Sequence, residues 1–315
     1  MNKQKIVVIL GPTASGKTEL ALKIAKKFNG YIISADSRQI YKEMNIGTAK
    51  PRGKIKQLEL KIKEINNHIY FVQDIPHFLI DYITPDQPFT LADWLKVTKK
   101  ILNSKILNSK FRIPIICGGT GLYISALVNN FQLPKGKINL NLRNKLNQLS
   151  LTTLLAKLKK LDLETYNSID KKNKRKIIRT VEYILTNNQL FKPEYKPAQS
   201  PYQFLQIGLD ISREQLYQKI NQRVDQMLKN GLIAETKRLT KKYSTNLPAM
   251  SGIGYRQINM YLNGSLDKTA AVEQIKRDSR HYAKRQLTWF KRDKKINWVK
   301  NYATAEKLVK DFLSK

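Results

Sequence analysis

The chain has 315 residues, 41% of them hydrophobic, which is enough to bury a sizeable core in one or two lobes and excludes disorder as the default. Its 58 Lys and Arg against 24 Asp and Glu give a formal charge of +34, more than solubility needs, so a polyanion is the expected partner and nucleic acid the first candidate; crowding with Lys, Asn and Ile also fits an AT-rich genome and leaves part of this charge as solvated surface. One cysteine (Cys117) excludes an internal disulfide, three histidines (His68, His77, His281) leave no Cys/His zinc pattern, and no stretch reaches the ~18 apolar residues of a membrane span, so a cytoplasmic protein without zinc is expected.

The first element is the apolar run "KIVVIL", too short for a signal-peptide core and read as a strand. It runs into "GPTASGKT", Gly11, Pro12, Thr13, Ala14, Ser15, Gly16, Lys17 and Thr18, and then a helix, "TELALKIAKKF", with Asn29-Gly30 as its stop. Strand, glycine-spaced loop and helix form a phosphate-binding loop. Its amides converge on an anion at a helix N-terminus, Lys17 adds a point charge, and the Thr18 hydroxyl can ligate Mg²⁺. The loop alone leaves ATP, GTP or another diphosphate open.

A second apolar run, "GYIISADSRQIY", places Asp36 at a strand end, where an ATPase reading would make it a Mg²⁺-binding acid. A third, "FRIPIICGGTGLY", breaks at glycines. Apolar strands alternating with helices predict an α/β fold with a P-loop NTPase-like parallel sheet flanked by helices, and ligands at the C-terminal strand ends. Beyond residue 130 the chain turns helical and basic ("LTTLLAKLKKL", "KKNKRKIIRTVEYILTN"), passes the Pro-rich connector "FKPEYKPAQSP" and returns to strand at "YQFLQIGLDI". This predicts a first core part over 1–130, an all-helical basic insertion over 131–200 and core completion with basic helices over 201–315.

Ser212 and Gly231 bound a further helix, with "SREQ" as its capping box. Leu216, Ile220 and Met227 share its apolar stripe, and Arg223 falls on the same side, which requires either an anionic ligand or a structural carboxylate. In "IKRDSRHYAKRQLTWFKRD", Ser279, Tyr282, Ala283, Leu287 and Phe290 form the packing face and Arg277, Arg280, His281, Lys284, Arg285, Lys291 and Arg292 a cation stripe. The insertion repeats the pattern, with Ile177, Val181 and Ile184 opposite Lys172, Arg175, Lys176 and Arg179. Two such faces suit a nucleic-acid backbone; the plainer reading is solvated surface.

"DSRQIY" with "GTAKP", "GGTGLY", and "SGIGYRQI" with "YAKRQLTWF", in that order from about Ile6 to Trp298, resemble the tRNA dimethylallyltransferase (isopentenyltransferase) family. The resemblance implies that the loop holds the diphosphate of dimethylallyl diphosphate and that the acceptor is N6 of the adenosine 3′ of the tRNA anticodon, drawn from its stack. It implies Asp36 as general base, and Lys17, Mg²⁺ at Thr18 and Arg223 as stabilisers of the leaving diphosphate. It also implies Ser37, Arg38 and Gln39 at the anticodon loop, Thr120 near the channel, and tRNA contacts from Arg143 and from Arg175, Lys176 and Arg179; the cation stripe adds Arg280, Lys284 and Arg285. Asn45 in place of an acid, Leu163 in place of proline, and "RTVE" depart from the family pattern. The end of the chain, without a zinc module, favours the bacterial type. An adenylate isopentenyltransferase, a small-molecule P-loop kinase and a nucleotide-sensing RNA-binding module are the competing readings.

Overall fold

The computed structural model describes residues 3–58, 62, 65, 68–133, 136–137, 139–191 and 199–315. Its strands are β1 (Gln4–Leu10), β2 (Gly30–Ser34), β3 (Lys54–Gln57), β4 (His68–Val72), β5 (Ile75–Phe78), β6 (Ile113–Gly118), β7 (Tyr202–Leu209) and β8 (Asn297–Val299). Its helices are α1 (Lys17–Lys27), α2 (Leu91–Leu102), α3 (Lys105–Lys110), α4 (Gly121–Val128), α5 (Leu140–Gln148), α6 (Leu151–Leu161), α7 (Leu163–Ser168), α8 (Lys174–Asn187), α9 (Arg213–Lys229), α10 (Leu232–Lys242), α11 (Tyr255–Leu262), α12 (Lys268–Phe290) and α13 (Tyr302–Ser314). They form two compact units, Met1–Asn129 with Ser200–Lys315, and Asn130–Gln199.

The first unit is built on one sheet of order β3-β4-β5-β2-β6-β1-β7-β8. β1 lies between β6 and β7, parallel to both, and Ile6 to Leu10 are fully buried, the unalternating pattern of a strand covered on two faces. Leu10 is level with Gly118 and Ser34 with Cys117, so the chain leaves β1, β2 and β6 at one edge of the sheet. One face is covered by α1 through Leu20, Ala21, Ile24 and Ala25, and by α13 through Ala305 and Val309. Glu19 in the first turn of α1 and Lys26 and Lys27 in its last complement the helix dipole, and Asn29 (φ 48°) turns the chain into β2.

The sheet is not parallel throughout. β3 pairs with β4, and β4 with β5, in antiparallel fashion; Gln73 and Asp74, at φ 49° and 64°, make the two-residue hairpin that joins Val72 of β4 to Ile75 of β5. Within this edge His77 is buried, its Nδ1 2.9 Å from the Ile75 carbonyl and its Nε2 without a partner among the described residues. Burial lowers its pKa from 6.5 to about 4. The unfolded chain therefore takes up a proton below pH 6.5 that the folded chain refuses until near pH 4, and stability present above pH 6.5 is lost as the pH falls. Denaturant unfolding at pH 5 should find about 2 kcal/mol less from this residue than at pH 7, a difference that His77→Gln should remove.

The second unit has its own core, in which Leu154 and Leu158 of α6 meet Ile177 and Val181 of α8. Asn139, Ser150, Asp162 and Asn173 cap its four helices by accepting amide hydrogen bonds. Arg175, Lys176 and Arg179 are exposed on α8. Arg143 instead pairs with the buried Glu182 at 2.8 Å, and Glu182 also accepts from the Asn139 amide. Most of the expected Pro-rich connector, residues 192–198, lies outside the described residues.

Candidate active site

The P-loop follows β1. Ala14 (φ 64°) and Gly16 (φ 93°) are left-handed, an alternation of hand by which successive amides converge into an anion-binding nest. Ala14 packs with Leu216 and Ile220 of α9 and Ala283 of α12, which seats the loop. The buried Ser15 hydroxyl has no hydrogen-bond partner among the described residues, an orphan that an anion would satisfy. Lys17 Nζ donates to the Pro12 carbonyl at 3.2 Å. Burial holds this ammonium below the usual lysine range; Cys117 and Asp36 oppose the shift and Arg223 adds to it. Arg223 extends from α9 to the Thr13 hydroxyl at 3.1 Å, and burial likewise lowers its pKa against the pull of Asp36. Neither cation has an ion pair among the described residues. Two desolvated cations with no salt bridge among the described residues, Asp36 acting on both from beyond ion-pair distance, make a site that an anion would stabilise.

Asp36 lies two residues past β2. Its Oδ1 accepts from the amides of Arg38 (2.9 Å) and Gln39 (3.3 Å), an Asx turn that leaves Oδ2 without a protein partner among the described residues. Thr120 clamps the residues on either side: its amide donates to the Ala35 carbonyl and its hydroxyl accepts from the Ser37 amide, both at 3.1 Å. Trp94, fully buried, donates from Nε1 to the Ser34 carbonyl at 2.8 Å.

Arg38 and Gln39 are used within the fold. Arg38 donates to the carbonyls of Pro248 and Ala249, and Gln39 to those of Thr48 and Ala49. A buried carboxylate, Glu235, gathers the amides of Asn45, Ile46 and Gly47 and the Tyr255 hydroxyl, and so holds the "IGTAKP" loop against α11. Asn45 stands where the family pattern has an acid, and here it offers only its amide to that carboxylate.

These segments enclose a cavity of about 540 Å³, lined among others by Thr13, Lys17, Asp36, Arg223, Tyr282 and Arg285. That is ample for a small-molecule site. Thr18 lines a smaller space beside Lys17 and Asp36. The expected division of α12 into a packing face and a cation stripe needs correction, because α12 borders a cavity rather than a closed core. Ser279 and Tyr282 line that cavity, and so does Arg285 from the supposed outer stripe. Arg280 is half-buried and donates to Asn221 at 2.8 Å, whereas Lys284 is exposed. Burial raises the Tyr282 pKa to about 12, so its hydroxyl is a neutral donor at physiological pH.

Arg143, Arg175, Lys176 and Arg179 belong to the second unit. Sequence reasoning passed over Gln286, buried and bonded to the P-loop, and the Glu235–Tyr255 brace. A polar residue at a buried helical position is the signal that could have found each. Among the described residues no group of three or more His, Cys, Asp or Glu could hold a metal ion, and no helix is long and apolar enough to cross a membrane.

A family model described as IPP transferase matches residues 39–293, and one described as isopentenyl transferase matches residues 4–70. The chain is 41% identical to a tRNA dimethylallyltransferase of Halothermothrix orenii over 98% of its own length and 93% of that protein's. It is 40% identical to a tRNA dimethylallyltransferase of Clostridioides difficile over 95% and 92%. The crystal structure of a tRNA isopentenylpyrophosphate transferase from Bacillus halodurans aligns with TM-score 0.69 at 31% identity, covering 99% of this chain and 97% of that one. The structure of a eukaryotic dimethylallyltransferase acting on tRNA aligns with TM-score 0.71 at 25% identity, covering 91% of this chain and 69% of that one. With a sheet of this order, a phosphate loop after its central strand and matches along nearly its whole length, the chain belongs to the IPP transferase family.

Proposed function

We propose that the chain transfers a dimethylallyl group from dimethylallyl diphosphate to N6 of the adenosine 3′-adjacent to the anticodon in tRNA, releasing diphosphate. The observation that carries this reading is the meeting of Asp36 with two unpaired, desolvated cations on one cavity. The exocyclic amine of adenine is a weak nucleophile, its lone pair being delocalised into the ring. It reacts as its proton is taken up, and the Asp36 carboxylate, oriented through Oδ1, is the base. As the C–N bond forms at the allylic carbon, the C–O bond to diphosphate breaks and its electron pair stays on the leaving oxygen. P-loop amides, Lys17 and Arg223 stabilise that charge. Thr18 presents a hydroxyl beside Lys17, and one protein oxygen with phosphate oxygens and waters is an ordinary Mg²⁺ donor set. Thr18 would hold Mg²⁺ there, and the ion would supply further charge neutralisation when bound.

Purified protein with dimethylallyl diphosphate and Mg²⁺ should add the mass of one dimethylallyl group to an unmodified anticodon stem-loop without ATP. A kinase would consume ATP, and an adenylate enzyme would accept AMP in place of the stem-loop. Either result overturns the reading.

The exposed cations of α8 are the tRNA-backbone contacts within this proposal. Replacing Arg175, Lys176 and Arg179 together by Gln should weaken binding and lower the slope of log affinity against log salt by about two units, roughly 0.7 to 0.9 per lost phosphate contact. An unchanged slope in a salt titration would make α8 solvated surface only.

A further inference from the structure

We infer that Gln286 is a positioning residue that holds the diphosphate cradle and the Asp36 loop in register for transfer. The inference rests on the reaction proposed above and adds a residue of the same cavity wall whose side-chain bonds both go to the protein's own backbone. Gln286 lies on α12, 6% exposed, and its side-chain amide reaches into the seam between two loops. Oε1 accepts from the Thr13 amide at 2.9 Å, and Nε2 donates to the Gly119 carbonyl at 2.8 Å. Both bonds have ordinary lengths, and both link segments far apart in the chain.

Each bond ends at a clamp. Thr13 is the residue whose hydroxyl receives Arg223, so the first bond fixes the cation side of the cavity. Gly119 precedes Thr120, which grips Ala35 and Ser37 on either side of Asp36, so the second bond fixes the base side. One planar amide is thus a side-chain link between the leaving-group machinery and the base. Gly119 has no room for a side chain, because a Cβ there would strike the Gln286 nitrogen. The Thr13 N–H is also taken up in this contact and is not offered to the anion. Bond formation to N6 and cleavage of the C–O bond must occur along one line, and an error of about 1 Å in such an alignment costs roughly 10² in rate.

Glutamine supplies one acceptor and one donor here, which its near-isosteres do not. Methionine keeps the volume and makes neither bond. Glutamate keeps the acceptor for Thr13 but sets an oxygen against the Gly119 carbonyl. A residue that merely packs would give a different signature, with lower stability or a smaller active fraction but an unchanged rate per active site.

The experiment compares wild type, Gln286→Met, Gln286→Glu, Thr120→Val and the Gln286→Met/Thr120→Val double variant. Each is the full chain with dimethylallyl diphosphate, Mg²⁺ and an anticodon stem-loop. Single-turnover rates at saturation, KM for each substrate and melting temperatures are measured. Gln286→Met and Gln286→Glu should each lower the rate per active site by roughly 10- to 100-fold with both KM values within about threefold of wild type. The double variant should be no more than about threefold slower than the slower single one, because both changes break the same linkage. Rates within threefold of wild type for Gln286→Met, or losses that multiply in the double variant, overturn the inference and leave the transferase reading intact. Should Gln286→Met melt near the assay temperature, Gln286→Glu carries the same test. Failure of wild type to modify the stem-loop overturns the reaction itself.

Discussion

Asp36→Asn should lower the single-turnover rate of prenyl transfer by roughly 10²- to 10⁴-fold with little change in tRNA affinity. The structure makes this substitution specific. Oδ1 serves the turn, accepting the amides of Arg38 and Gln39, and the carbonyl oxygen of an asparagine can take over both bonds. The other oxygen becomes an NH₂ group. A donor then faces the donor N–H of the adenine amine, and no acceptor remains for the proton. The loop should keep its shape while the chemistry stops, a separation that a disruptive change such as Asp36→Leu cannot give. Rapid-quench kinetics at saturating stem-loop, with binding measured in parallel, decides the matter, and near-full chemistry in the variant would remove Asp36 from the role of base.

Lys17→Ala and Arg223→Ala should each reduce the rate by about 10²- to 10³-fold, the usual loss when one stabiliser of a developing charge is removed. Both side chains pay a desolvation cost in the free protein, seen in the downward shift that burial imposes on each. Lys17→Ala should therefore leave the melting temperature of the free protein unchanged or raise it, while inorganic diphosphate loses its ability to stabilise the fold. Arg223→Lys should recover only part of the activity, since a lysine lacks the fork that can bond Thr13 and an oxyanion together. A thermal-shift series with and without diphosphate tests these expectations. A lower melting temperature combined with an intact diphosphate response would place the two cations in a structural role.

Much of this site was legible in the chain. Gly11 to Thr18, set between an apolar run and a helix, marked a P-loop by spacing and context together, and the apolar runs before Gly11, Asp36 and Gly118 placed three loops at one sheet edge. The antiparallel edge was not legible, because "KIKQ" is exposed on β3 and the β4–β5 turn is a Gln-Asp pair rather than a glycine-bearing one. The resemblance set Arg38 and Gln39 toward RNA, whereas their side chains bond the protein's own carbonyls, a choice made by segments some 210 and 10 residues away. Gln286 sits in a run of basic and aromatic residues where a glutamine usually faces solvent. Only the meeting of α12 with two loops gives it partners.

The helical unit over Asn130–Gln199 begins and ends at neighbouring points, for the side chain of Asn130 donates to the carbonyl of Gln199 at 3.4 Å. Its core of Leu154, Leu158, Ile177 and Val181 is complete within itself, while β6 and β7, which flank it in the chain, are each already paired to β1. Such a junction is a natural splice point. The segment could be lengthened, recharged or exchanged without disturbing a single rung of the β-ladder, so its basic surface is not tied to the strands that carry the P-loop and Asp36.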